Sequence, residues 1–181
     1  KRIPGTVRVA QKSPYPVVAH RNALLLLALR RLLTLLHDNN IEVVLLQGAS
    51  LFDRCYPDLD QREFGDLDLW VREPDQEKFT SVLTAAGFVP VFSGLPKFVA
   101  PSWHNLLVHL HTGIWYAEDD QPLWDRTLRT TIAGVPARVL QPEDEIVYLA
   151  TYGVLHKAGS PTAARDILAL AQTYSIDWDR V

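Results

Sequence analysis

From His20 to Asp38 leucine recurs at nearly every inward turn, with Arg30 and Arg31 on the other side, which predicts a helix buried over a wide face. Asp38, Asn39 and Asn40 stop it. Ile41 to Leu46 is short and rich in β-branched residues, the pattern of a buried strand. A tight turn follows at Gln47–Ser50, then a short helix to Cys55 and a polar loop from Tyr56 to Gly65. Asp66 to Val71 alternates acid and apolar residues over its first half, as a strand with two distinct faces does. Glu73-Pro74-Asp75 opens a helix that runs to Ala86 and ends at Gly87. Strands are predicted at Phe88–Phe92, Leu106–His111 and Ala137–Leu140, and helices from Gln141 to about His156 and from Ala163 to Tyr174. Residues 1–19, with Pro4, Pro14 and Pro16, read as an irregular N-terminal arm. The order predicts an α+β (α/β-like) fold: a small mixed sheet core over 20–140 and a helical C-terminal part over 141–181.

Composition narrows the function classes. The chain has 181 residues, long enough to bury a core without staples. Its net charge of −3 excludes a polybasic nucleic-acid coat, so no general nucleic-acid binding is expected. Apolar residues at 48% and charged residues at 22% argue against disorder. A single cysteine, Cys55, excludes an internal disulfide and a Cys-rich zinc module. The richest apolar stretch, Ala23 to Leu36, is interrupted by Arg30 and Arg31 and is shorter than the about 20 residues of a bilayer helix. The expectation is a soluble cytoplasmic protein with no membrane partner. The chain starts at Lys1 and holds no methionine, so it is read as other than the primary translation product.

The chemistry concentrates in two stretches. Asp66 and Asp68 stand at i and i+2 on a predicted strand and therefore leave the same face. Neighbouring carboxylates repel unless a cation lies between them. Hard oxygen ligands suit Mg²⁺, which takes one or two protein carboxylates plus substrate phosphates. Gly48 and Ser50, on a turn between strand and helix, offer backbone N–H groups and a hydroxyl to a triphosphate. Singly, each feature reads as a solvated strand edge or an ordinary turn. Their order along the chain is more specific.

That order resembles the nucleotidyltransferase superfamily typified by DNA polymerase β and the kanamycin nucleotidyltransferases, and within it a bacterial family of uncharacterised nucleotidyltransferases. The resemblance rests on Leu46-Gln47-Gly48, Tyr56-Pro57, Arg62, the run Gly65 to Val71, Gly87-Phe88, Val108 to His111, Leu140 to Asp144, Asp166 and Asp177-Trp178. It implies a mixed sheet carrying a metal-dependent site that moves a nucleoside monophosphate from NTP to an acceptor, with Mg²⁺ (or Mn²⁺) as cofactor and ATP among the candidate donors. Asp66 and Asp68 match the family's metal-binding acids, and Gly48 and Ser50 its triphosphate turn. The family's third acid, metal ligand or base, falls on His109. The Lys usual before the glycine is Gln47, which hydrogen-bonds a phosphate without neutralising it.

The expected set is therefore Asp66, Asp68 and His109 for metal and catalysis, and Gly48, Ser50, Gln47 and Arg62 for the nucleotide. Imidazole at position 109 suits Zn, Mn or Fe better than Mg, and His111 shares its strand face. His111 reads either as a metal ligand or as a half-buried histidine hydrogen-bonded within the sheet. Arg62 is expected to reach a phosphate bidentately, or to sit solvated in its loop. Lys97, Lys157 and His156 are further cleft candidates. Asp166 reads as a family position or as an intrahelical partner of Arg165. Trp70, Trp115, Trp124 and Trp178 are expected in the core or at its rim. Two rival readings remain open: a catalytically silent nucleotide- or partner-binding module of the same fold, and a hydrolase with a transition metal on Asp68, His109 and His111. The acceptor (small molecule, peptide, protein or RNA) and the oligomeric state are not legible.

Overall fold

The computed structural model describes residues 15–91, 96–155 and 160–181. Its architecture is a mixed α/β one, built on a seven-stranded sheet in the order β3-β4-β5-β2-β1-β7-β6. The strands are β1 (Val44–Leu46), β2 (Leu67–Trp70), β3 (Val89–Pro90), β4 (Lys97–Ala100), β5 (Leu106–His111), β6 (Leu128–Ile132) and β7 (Val135–Val139). The helices are α1 (Pro16–Asp38), α2 (Gln47–Leu51), α3 (Gln76–Ala85), α4 (Gln121–Asp125), α5 (Pro142–Leu155) and α6 (Pro161–Thr173). The central strand β2 pairs antiparallel with β1 and parallel with β5, and β1 runs parallel to β7.

Side-chain alternation divides the apolar residues between two faces. Leu45 of β1, Leu67 and Leu69 of β2, and Leu106, Val108 and Leu110 of β5 join the larger core with Leu29, Leu32 and Leu36 of α1 and Phe79 and Leu83 of α3. Val44, Leu46 and Trp70 enter a smaller cluster with Leu123 and Trp124 of α4 and Tyr148 of α5. The Trp70 and Trp124 rings meet edge to face at 5.0 Å. Asp68, two residues before Trp70, lies on this second face, where the apolar cluster gives way to polar side chains.

Several elements depart from the pattern reading. Helix α1 begins at Pro16, so residues 16–19 are helical rather than part of an arm. Proline is well tolerated in a first turn, where its missing N–H costs no bond. Residues 1–14 lie outside the described residues, as does Phe92 of the expected strand after Gly87. Strands β4 and β6 carried no sequence signal. β6 is an edge strand with mostly exposed side chains, so its composition is polar. It pairs with β7 through a two-residue turn, Ala133 (φ 53°) and Gly134 (φ 78°), the positive-φ pair that a twisted hairpin demands. Among the described residues no helix is long and apolar enough to cross a membrane.

Candidate active site

The site is set by the register of two parallel strands. β2 and β5 place Asp68 beside His109 and Trp70 beside His111. All four residues project to the same side, because period-2 alternation puts i and i+2 together on both strands. Asp68 Oδ1 lies 3.2 Å from His109 Nδ1 and 2.7 Å from His111 Nε2. The two imidazoles stand 4.2 Å apart, centre to centre. The Asp68 side chain is only 6% exposed, His111 14% and His109 27%, so the cluster opens to solvent on the His109 side. Burial alone would raise the Asp68 carboxyl pKa, but the hydrogen bonds and charges of the two histidines outweigh it and hold the group below its ordinary value. One carboxylate oxygen and two imidazole nitrogens within 4.8 Å of one another form a donor set that fits a divalent cation.

Asp66 stands just before β2 and is exposed. It nonetheless faces the same space as Asp68, since both line one polar cleft of about 220 Å³ with Gln47, Gly48 and Tyr152. Burial pushes the Tyr152 phenol up, and the negative charges of Asp68 and Asp66 add to the shift. Asp66 is not among the residues whose donor atoms converge on Asp68. His111 takes that place instead, and its expected hydrogen bond within the sheet is made to Asp68 itself. Asp66 and Gly65 also line a second cleft of about 540 Å³, between Leu24 and Leu25 of α1 and Leu106 and Leu107 of β5. Asp66 therefore stands where a polar and a more apolar cleft meet.

The start of α2, where a tight turn was expected, supplies the floor of the polar cleft. Gln47 has φ 51°, a left-handed conformation uncommon for a residue with a side chain. Its side chain reaches toward the Tyr148 and Tyr152 phenols. Gly48 is required by close approach rather than by φ. A Cβ there would lie 2.4 Å from Arg62 Nη1 and 3.0 Å from Phe64 Cδ1. Ser50 does not present its hydroxyl to the cleft. It is fully buried, its single O–H within hydrogen-bond distance of both the Gln47 carbonyl (2.7 Å) and the Glu145 carboxyl, itself bridged to Arg54 at 2.9 Å. In this structure the Ser50 hydroxyl ties the start of α2 to α5.

Arg62 is likewise engaged. Its Nε and Nη2 both donate to Asp166 of α6 at 2.7 Å, and Tyr56 donates to the same carboxylate at 2.7 Å. The Arg62 guanidinium, also 4.8 Å from the Phe64 ring centre, thus lines the cleft as half of a buried pair, not as a free phosphate fork. Asp166 pairs across the fold, while Arg165 donates to the Gln61 carbonyl. Buried Asn22 of α1 accepts from Phe64 N–H and donates to the Leu59 and Arg62 carbonyls at 2.6 Å, fixing the loop that leads to Asp66.

Of the remaining candidates, Lys97 lies directly opposite His109 in the β4–β5 ladder, hence on its face. His156 and Lys157 lie outside the described residues. Trp70 and Trp124 are core residues, whereas Trp115 and Trp178 are 40% and 60% exposed, against expectation. The residues missed were Asn22, Glu145, Tyr148 and Tyr152. Each acts across long sequence separations, and only the acidic first turn of α5 hinted at any of them.

The profile of a family described as "Uncharacterised nucleotidyltransferase" matches residues 1–181. Comparison with curated protein sequences gives no match. Among solved structures, the chain is similar to an antigenic nucleotidyltransferase-like protein from Paracoccidioides brasiliensis, at 18% identity and a TM-score of 0.58, covering 82% of this chain and 75% of the other. It is similar to the antibiotic-resistance factor ANT(2'')-Ia in solution at 17% identity and a TM-score of 0.58, covering 83% of each chain. It is also similar to ANT(2'')-Ia in complex with adenylyl-2''-tobramycin at 18% identity and a TM-score of 0.55, covering 81% of this chain and 86% of the other. At these identities the likeness is one of fold.

Proposed function

This chain belongs to the uncharacterised nucleotidyltransferase family, and from that premise we propose that it transfers a nucleoside monophosphate from an NTP to an acceptor hydroxyl or similar group. The observation that carries the reading is that Asp66 and Asp68 line one polar cleft with Gln47 and Gly48, while His109 and His111 converge on Asp68. Asp68 and His109 would hold a divalent cation, Mg²⁺ or Mn²⁺, which when bound would neutralise charge on the triphosphate, with Asp66 facing the same cleft. The Gln47–Gly48 backbone and the Gln47 amide orient the phosphates, and Lys97, on the His109 face, supplies the positive charge absent at position 47. A cleft of about 220 Å³ accepts a phosphate chain but not a whole nucleotide, so the nucleoside extends beyond it. The adjoining cleft past Asp66 is the place for the acceptor. The acceptor oxygen attacks the α-phosphorus, the bond to pyrophosphate breaks, and pyrophosphate leaves. Catalysis is then positioning and charge neutralisation, with no covalent intermediate on the protein.

The test is pyrophosphate release from each of the four NTPs with Mg²⁺ or Mn²⁺ and a panel of small-molecule, peptide and RNA acceptors. Asp68→Asn is expected to lower turnover by at least about a hundredfold while the fold persists. A second reading, a nucleotide- or partner-binding module without turnover, is favoured by the engagement of Arg62 with Asp166 and by Gln47. NTP binding equal in wild type and Asp68→Asn, with no pyrophosphate from either, decides for it.

A further inference from the structure

The donor set differs from an all-carboxylate site in a way that bears on which cation it takes. Only one acid, Asp68, belongs to the converging group; the other two donors are imidazoles from a neighbouring strand. An oxygen-only site binds Mg²⁺ by concentrating negative charge in octahedral geometry. Here the set carries at most one negative charge, and two of its three atoms are nitrogens. Neutral imidazole binds first-row transition metals far better than Mg²⁺. The three donor atoms also converge. His109 offers Nδ1 and His111 offers Nε2, both toward the same Asp68 oxygen, and all three atoms lie within 4.8 Å of one another. Asp68 is 6% and His111 14% exposed, while His109 at 27% keeps the cluster reachable from solvent.

We propose that Asp68, His109 and His111 form a transition-metal site that holds Zn²⁺, Mn²⁺ or a related ion in preference to Mg²⁺, and that His111, rather than Asp66, completes it. The role of that ion rests on the transferase reading above, but its binding does not, and the two are measured separately. Protein stripped with a chelator is titrated with Co²⁺, followed by calorimetry and by the visible ligand-field spectrum, then challenged with Mg²⁺ in large excess. The expected result is one Co²⁺ per chain with a nitrogen-containing, low-symmetry spectrum that persists in at least about a hundredfold excess of Mg²⁺. His109→Gln and His111→Gln are each expected to weaken Co²⁺ about tenfold or more, as loss of one of three protein ligands does, whereas Asp66→Asn leaves the affinity within about threefold. Far-UV circular dichroism and urea unfolding of the metal-free variants separate loss of a ligand from loss of the fold. Displacement of Co²⁺ by equimolar Mg²⁺ overturns the proposal. So does His111→Gln with native fold and unchanged Co²⁺ affinity, or no Co²⁺ bound by folded wild type. Tight Co²⁺ binding in a protein that releases no pyrophosphate supports the site and refutes the transferase reading.

Discussion

Replacing Asp166 by Asn removes one charge from a buried, doubly hydrogen-bonded pair with almost no change in volume. Arg62 donates to both carboxylate oxygens at 2.7 Å, and the two side chains are 10% and 2% exposed. In Asp166→Asn one oxygen becomes an NH₂ group that faces a guanidinium N–H, so a bond is lost and a repulsive contact replaces it. The Arg62 charge stays in place without its counter-charge. Breaking a buried pair from one side costs about 3–5 kcal/mol. Arg62 keeps a 3.3 Å bond to the Glu63 carbonyl and slight solvent access, which places the expected cost near the lower end, about 3 kcal/mol. For a chain of this size that corresponds to a fall in Tm of about 6–12 °C. Urea unfolding followed by tryptophan fluorescence reads it as a lowered midpoint at unchanged slope. The double replacement Arg62→Met with Asp166→Leu leaves no stranded charge and is expected to be more stable than Asp166→Asn. An Asp166→Asn protein within about 0.5 kcal/mol of wild type would refute the reasoning, since the pair would then be no more than a surface contact.

Gly48→Ala puts a methyl group 2.4 Å from Arg62 Nη1, and Arg62 cannot swing away while Asp166 holds it, so a loss of about 1–3 kcal/mol is expected in the same unfolding assay, smaller in the Arg62→Met, Asp166→Leu background, where no buried charge is stranded. Ala133→Asn places a residue that tolerates positive φ at a turn position with φ 53°, and is expected to raise stability by about 1 kcal/mol, read as a higher Tm. Burial pushes the Cys55 thiol pKa up to about 11, so the reactive thiolate is scarce below that pH and increases as pH rises through it. Alkylation at pH 8 is expected to run about a hundredfold slower than for a thiol at its ordinary value of 9.0, and urea-unfolded protein should regain the ordinary rate.

How much of this was legible in the residues varies from element to element. The leucine spacing of α1 and the acidic start of α5 are local signals, so helix and strand type followed from the pattern there. β5 was read with its observed limits, Leu106–His111, where apolar residues alternate with histidine over Val108–His111. β6 was missed because an exposed edge strand has little apolar signal. The ordered motifs from Leu46 to Trp178 resembled the nucleotidyltransferase family, and Asp66 and Asp68 line one cleft although Asp66 stands just before β2.

What each candidate side chain does was decided elsewhere. Ser50 and Arg62 looked like nucleotide contacts, yet the fold gives them to Glu145 and Asp166, partners 95 and 104 residues away. His111 was left open by sequence until the parallel register of β2 and β5 set it on Asp68. The reason is physical. Helix and strand periodicity is written into neighbouring residues, whereas a buried polar group must be satisfied by whatever the packed chain brings to it, and that choice is made only when distant strands and helices meet.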